Sequence, residues 1–233
     1  PRYTFDSLVP HEGIEQAVST LLSVYGDPAH ALPGLFLYGP SGTGKTHLLH
    51  AAAALAAHTR GKTESTVRFI SGSGDSTTFS GLEELVSGPD DTQHEVSCVA
   101  VDDVHMLSVD RWTQLWSLWN KTSRWGCPLM MASQTPPAEI FQDDPHLVTR
   151  VTSGLVFRLD PPEDPMRLLI LDKMARDRHV HISRDVCNYL VTRKSRNVKE
   201  LERILDMLDQ ASLELKRRIT LPLIKILEHE GAM

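Results

Sequence analysis

Eight consecutive residues, Gly39-Pro40-Ser41-Gly42-Thr43-Gly44-Lys45-Thr46, have the types and spacing of a loop that holds a polyphosphate. The glycines let successive backbone N–H groups turn inward around an anion, a conformation that side chains resist. The run that follows, His47-Leu48-Leu49-His50-Ala51-Ala52-Ala53-Ala54, is rich in good helix formers, so a helix N-terminus adds partial positive charge at the same point. Lys45 is then placed to reach the β- and γ-phosphates, and the Thr46 hydroxyl to bind Mg²⁺. A second group stands after Val99-Ala100-Val101, where Asp102 and Asp103 are adjacent. As a Walker B pair, Asp102 would hold the Mg²⁺ water shell together with Thr46, and Asp103 would orient a hydrolytic water. Asp is shorter than Glu at position 103, so slow intrinsic turnover is expected. Gln134 follows the apolar run Leu129 to Ala132 within Ser133-Gln134-Thr135. It reads either as a sensor of the γ-phosphate or as a polar strand end with no nucleotide contact.

These groups need a parallel sheet to bring them to one edge, because ligands of open α/β sheets sit beyond the carboxyl ends of the strands. The first part of the chain has that pattern, alternating short apolar runs with helical segments. A helix is expected from Glu12 to Tyr25 and another from Lys45 to His58. Strands are expected at Leu35–Tyr38, Thr66–Ile70, Val96–Val101, Leu129–Ala132 and Leu155–Phe157. Asp160-Pro161-Pro162-Glu163-Asp164-Pro165 then reads as a stiff linker, since consecutive prolines resist both helix and central strand. Beyond it, Met166–Arg178, Arg184–Arg193, Val198–Lys216 and Leu221–His229 carry apolar residues at helical spacing, with Ser183 and Asn197 as N-caps. The expected architecture is an α/β P-loop AAA+ module. It has a five-stranded parallel sheet flanked by helices over residues 1–160, and a small all-helical lid domain over residues 161–233.

Composition sets outer bounds. The chain has 233 residues, 41% of them hydrophobic, enough for a sizeable core. A net charge of −6 gives no global electrostatic case for binding nucleic acid. No Lys or Arg occurs from Phe69 to Asp110, whereas Asp75, Glu83, Glu84, Asp90 and Asp91 do, and such an insert repels phosphate. No apolar stretch is long enough to span a bilayer, and no signal peptide is visible. Cys98, Cys127 and Cys187 are far apart and in no ligand spacing, so a reduced, cytoplasmic compartment is expected. Trp112, Trp116 and Trp119, with Leu115 and Leu118, lie at helical spacing; they form a core-facing stripe or a partner surface.

Taken together, these stretches resemble the AAA+ domain of the bacterial replication initiator DnaA and its regulatory relatives of the Hda type. The likeness is carried by Tyr3-Thr4-Phe5-Asp6-Ser7-Leu8-Val9, the loop with its Thr46-to-Ala51 run, Val101-Asp102-Asp103-Val104, and Thr135-Pro136-Pro137-Ala138-Glu139-Ile140. It continues through Arg150 to Leu155 and Arg196-Asn197-Val198-Lys199-Glu200-Leu201-Glu202. The last stretch, Leu208 through Pro222, favours the Hda group. The resemblance implies ATP or ADP with Mg²⁺ as ligands and puts Tyr3, Phe5, Leu8 and Val9 near the adenine. His47 joins the nucleotide-binding set as the residue following Thr46. Arg150 falls where the family keeps an arginine finger. Lys199 stands where a lid helix presents a sensor Arg; Lys keeps the charge without the planar fork.

The implied function is negative regulation of replication initiation, by stimulating hydrolysis of ATP bound to DnaA. DnaA is then the expected partner. The sliding clamp is a further one, although the short clamp-binding peptide of Hda proteins is not visible here, and homo-oligomers through AAA+ interfaces are a third. Direct DNA binding is expected to be weak or absent, and no membrane association is expected. A nucleotide-switched helicase loader of the DnaC type is the alternative, and an initiator's ATPase domain is a third reading.

Overall fold

The computed structural model describes residues 3–29, 32–73, 87 and 96–229. The acidic positions Asp75 to Asp91 lie outside the described residues. Contacts divide the chain into two compact units, residues 1–40 with 44–160, and residues 41–43 with 161–233.

The first unit is built on strands β1 (Leu35–Tyr38), β2 (Val67–Ser71), β3 (Cys98–Asp102), β4 (Leu129–Ser133) and β5 (Leu155–Arg158). They form one sheet in the order β2-β3-β4-β1-β5, and every pairing is parallel, as expected from the sequence. Because side chains alternate across a strand, each strand feeds two cores. Leu35, Leu37, Ala100, Met130 and Ala132 pack on one face with helices α1 (Glu12–Gly26) and α2 (Lys45–Thr59). Phe36, Val99, Val101, Leu129 and Met131 pack on the other. That second face is covered by α3 (Val109–Trp125), the short α4 (Pro137–Ile140) and α5 (Pro145–Thr152). In α3, Leu115 and Leu118 are fully buried apolar residues, while Trp112, Trp116 and Trp119 are half-buried against the same core. The tryptophan stripe therefore belongs to the core-facing side and also reaches its rim.

The second unit has its own core. It contains α6 (Asp164–Asp177), α7 (Arg184–Tyr189), α8 (Val198–Leu215) and α9 (Leu221–His229). Leu171, Val186, Leu190, Leu201, Leu205, Leu208 and Ile224 meet at its centre. The Ser183 hydroxyl accepts from the Val186 amide at 3.4 Å, and Asn197 Oδ1 accepts from the Lys199 amide at 2.9 Å, so both expected N-caps are present. One departure lies between them. The segment Arg184–Arg193, expected as plain α-helix, widens after Tyr189 into i→i+5 turns over Leu190–Lys194, closed by Ser195 N–H donating to Leu190 C=O at 3.2 Å. Leu190 and Val191 are both buried, so packing on consecutive side chains sets this widened turn. Among the described residues, no helix is long and apolar enough to cross a membrane.

Candidate functional site

The phosphate loop leaves the carboxyl end of β1 and closes at the start of α2. Gly39, Gly42 and Gly44 all take positive φ, at 150°, 82° and 90°. Gly39 is also fixed by space, since a Cβ there would lie 2.2 Å from the Leu159 carbonyl oxygen. Pro40, Ser41 and Thr43 complete the turn, with Thr43 buried. Lys45, 7% exposed, places its Nζ inside the loop, donating to the carbonyls of Gly39 and Pro40 at 2.7 Å each. A buried ammonium held in this way is a fixed positive charge at a helix N-terminus, which suits a polyphosphate.

The sheet order decides what meets this loop. β3 carries Asp102 to the same edge, and the Thr46 hydroxyl donates to Asp102 Oδ2 at 2.6 Å. A hydroxyl and a carboxylate brought together from separate elements form the hard oxygen set that Mg²⁺ prefers. These two residues therefore fit the metal that the loop implies. Asp103 follows in the left-handed region at φ 51°, and its amide donates to Asp102 Oδ1 at 2.9 Å. A non-glycine residue in that conformation is strained and persists where its surroundings over-determine it. Here Gly72, just past β2, fits under the turn. Its N–H donates to Asp102 C=O at 2.8 Å, and a Cβ on it would lie 2.2 Å from the Asp103 carbonyl oxygen.

β4 lies between β1 and β3, so its end stands between the loop and the acidic pair. The Gly39 amide donates to Ser133 C=O at 3.3 Å on one side. On the other, the Gln134 amide donates to His105 Nδ1 at 3.3 Å, which requires the neutral ring with its proton on Nε2. Gln134 itself is exposed at this junction.

Arg150 lies in the last turn of α5 and is held within its own unit. Its Nη1 donates to Asn120 Oδ1 at 2.7 Å, and its Cζ stands 4.3 Å from the Trp116 ring centroid. Trp116 and Asn120 are one turn apart on α3, so a single helix face cradles the guanidinium. His47 turns away from the loop toward residues 3–9, where Tyr3 lies against its ring and Phe5 and Leu8 pack on the sheet core beside half-buried Val9. Lys199 is exposed in the first turn of α8, in the second unit.

Sequence reasoning missed His105 and Asn120, and it placed Ser133 at a strand end and Trp116 on a helix stripe without linking either to its partner here. Each link is a contact made across long sequence separation. The buried thiols do not join in. Burial pushes Cys127 and Cys187 up to about 11 and holds Cys98 well above the ordinary thiol value, so none supplies a thiolate near neutral pH.

Comparison with known proteins agrees with this fold. Residues 1–158 match the family model of the bacterial DnaA ATPase domain, and residues 164–227 match that of the Hda lid domain. The chromosomal replication initiator protein DnaA of Thermoanaerobacter sp. (strain X514) is 30% identical over 235 residues, covering 97% of this chain and 51% of that protein. The chain thus spans about half the length of the curated relatives it matches. Domain III of Thermotoga maritima DnaA superposes with a TM-score of 0.79 at 25% identity, covering 95% of this chain and 93% of that one. A replication initiator DnaA solved with AMPPCP and single-stranded DNA gives a TM-score of 0.68 at 24% identity, with 93% and 68% covered. With a nucleotide-domain match over most of its length and an Hda-type lid behind it, the chain belongs to the DnaA/Hda family of AAA+ proteins.

Proposed function

We propose that this protein binds ATP or ADP with Mg²⁺ in the Gly39–Thr46 loop and regulates replication initiation by engaging DnaA and promoting hydrolysis of DnaA-bound ATP through Arg150. The observation that carries the nucleotide part is the convergence of Lys45, the Thr46–Asp102 pair and Asp103 on one sheet edge. Lys45 neutralises charge on the terminal phosphates, and Thr46 and Asp102 hold the metal. When bound, Mg²⁺ supplies the charge that offsets the developing negative charge of phosphoryl transfer. Asp103 and Gln134 orient the water and the γ-phosphate, and Lys199 reports the nucleotide state from the lid. The regulatory part is supported by the Hda-type lid and by Arg150, a guanidinium pre-set on α3 by Asn120 and Trp116. A finger acts in trans on charge that develops only in the transition state, and so contributes nothing to its own subunit's phosphate pocket.

The deciding experiment is single-turnover hydrolysis of labelled ATP preloaded on DnaA, with clamp-loaded DNA present. The protein should accelerate it. Arg150→Ala should bind nucleotide as the parent does yet lose the stimulation, by up to roughly 10³–10⁵-fold, the scale of arginine fingers in GTPases. Stimulation surviving in Arg150→Ala would sink the finger, and none by the parent would favour helicase loading.

A further inference from the structure

His47 and His50, two of the three histidines of α2, tie the N-terminal segment to the phosphate loop's own helix. His47 Nε2 lies 2.8 Å from the Thr4 carbonyl oxygen and 3.1 Å from Ser7 Oγ. A carbonyl only accepts, so Nε2 carries the proton and donates to Thr4 C=O. Residues 4–7 form a tight turn that offers this carbonyl in a fixed position. Thr4 N–H donates to Ser7 Oγ at 2.9 Å, Ser7 N–H to Thr4 Oγ1 at 3.1 Å, and Ser7 Oγ to Thr4 C=O at 2.9 Å. One helical turn on, His50 stacks on Phe69 of β2 with ring centroids 3.9 Å apart and planes 12° apart. The Tyr3 ring leans on both histidines at 5.2 Å from each. A turn, two imidazoles and a strand aromatic thus form one continuous contact that starts two residues beyond Lys45.

We propose that His47 and His50 are positioning residues that latch the Tyr3–Ser7 turn onto α2, so that affinity for the nucleoside part of the nucleotide depends on them while affinity for its phosphates does not. The proposal rests on the nucleotide reading given above. A nucleotide gripped by its phosphates at Lys45 leaves its sugar and base to whatever lies beside the loop. Residues 3–9 are held there by His47, and their position is fixed through Tyr3 against a ring that is itself fixed on β2. Neither imidazole acts on the phosphates: His47 Nε2 donates to Thr4, and the His50 ring stacks on Phe69 and meets a tilted Tyr3 ring.

Paired titrations with Mg²⁺-ADP and Mg²⁺-tripolyphosphate test this, beside hydrogen exchange of residues 3–9 in the nucleotide-free protein. His47→Ala and His50→Ala should each weaken ADP binding about tenfold, the scale of one lost polar or ring contact, and leave tripolyphosphate unchanged. Exchange across residues 3–9 should speed up in both variants. His47→Gln, whose amide still donates to Thr4, and His50→Phe, which keeps the stack, should restore ADP binding and slow exchange. Equal losses for ADP and tripolyphosphate, or unaltered ADP binding in both alanine variants, would overturn the latch while leaving the nucleotide reading intact. A parent that binds neither ligand, or a Lys45→Ala variant that binds both normally, would overturn the nucleotide reading and the latch with it.

Discussion

At the scale of single residues, the Thr46–Asp102 bond makes the metal dependence of binding a specific expectation. Asp102→Asn keeps the shape and removes the negative charge that faces Thr46. Nucleotide affinity measured without Mg²⁺ should change little, whereas the gain on adding Mg²⁺ should largely vanish; an undiminished gain would place the metal elsewhere. His50 supplies a pH test. Burial holds its imidazole below the ordinary value of 6.5, and the nearby carboxylates of Asp102 and Glu64 pull the other way without cancelling the effect. Just below pH 6.5 the unfolded chain binds a proton that the folded chain does not, so stability rises with pH across that window. The His50 contribution is complete above 6.5 and is lost as pH falls below it. Urea midpoints compared between about pH 5 and 7.5 should show a steeper acid-side loss in the parent than in His50→Phe, which keeps the stack but does not titrate. Lys45 and Thr46 were legible in the sequence because consecutive residues and a helix N-terminus suffice to define them, and Asp102 because an acid pair closes an apolar strand. His105 was not, since its link to Gln134 exists only once two strands lie side by side.

At the scale of elements, α3 is the support against which Arg150 of α5 is held. Trp116 offers a ring face and Asn120 an acceptor on the same helical stripe. Asn120→Ala removes the acceptor and leaves the ring, so if Arg150 acts as the proposed finger, stimulation of DnaA-bound ATP hydrolysis should fall by about 10- to 100-fold, less than in Arg150→Ala. Equal activity of Asn120→Ala and parent would mean that α3 does not set the guanidinium's direction. Helix spacing identified the tryptophans and their side of α3, but the cation on Trp116 comes from an element that is distant in sequence. The widened turn at Leu190–Lys194 was illegible for a similar reason. Its residues carry an ordinary helical pattern, and the extra residue per turn reflects which side chains the second core accepts. The cap that follows was readable, because Asn before Val-Lys-Glu satisfies orphan amides locally. Asn197→Ala should cost about 1 kcal/mol of stability in the second unit, read from its unfolding midpoint.

At the scale of the whole molecule, each unit encloses its own core, and the two should respond separately to damage. Leu208→Ala empties a site in the second core and should cost about 2–5 kcal/mol there, raising hydrogen exchange in α6 to α9 while β1, β3 and β4 stay protected. Phe36→Ala should do the converse. Loss of protection in both units from either variant would show that they unfold as one. The alternation of apolar runs with helices made the parallel sheet readable, but not its strand order, which depends on pairings that no local pattern encodes. That order has a consequence for how the protein comes into being. β2 with β3, and β1 with β5, are two half-sheets that touch only through β4. The loop residues Lys45 and Thr46 and the acids Asp102 and Asp103 all leave the ribosome before Leu129–Ser133 does, yet they have no common edge until that strand inserts. Nucleotide therefore cannot act as a folding template for the early chain: a nascent chain arrested at Trp125 carries every one of these groups and should retain no labelled ATP, while one extended past Arg158 should capture it.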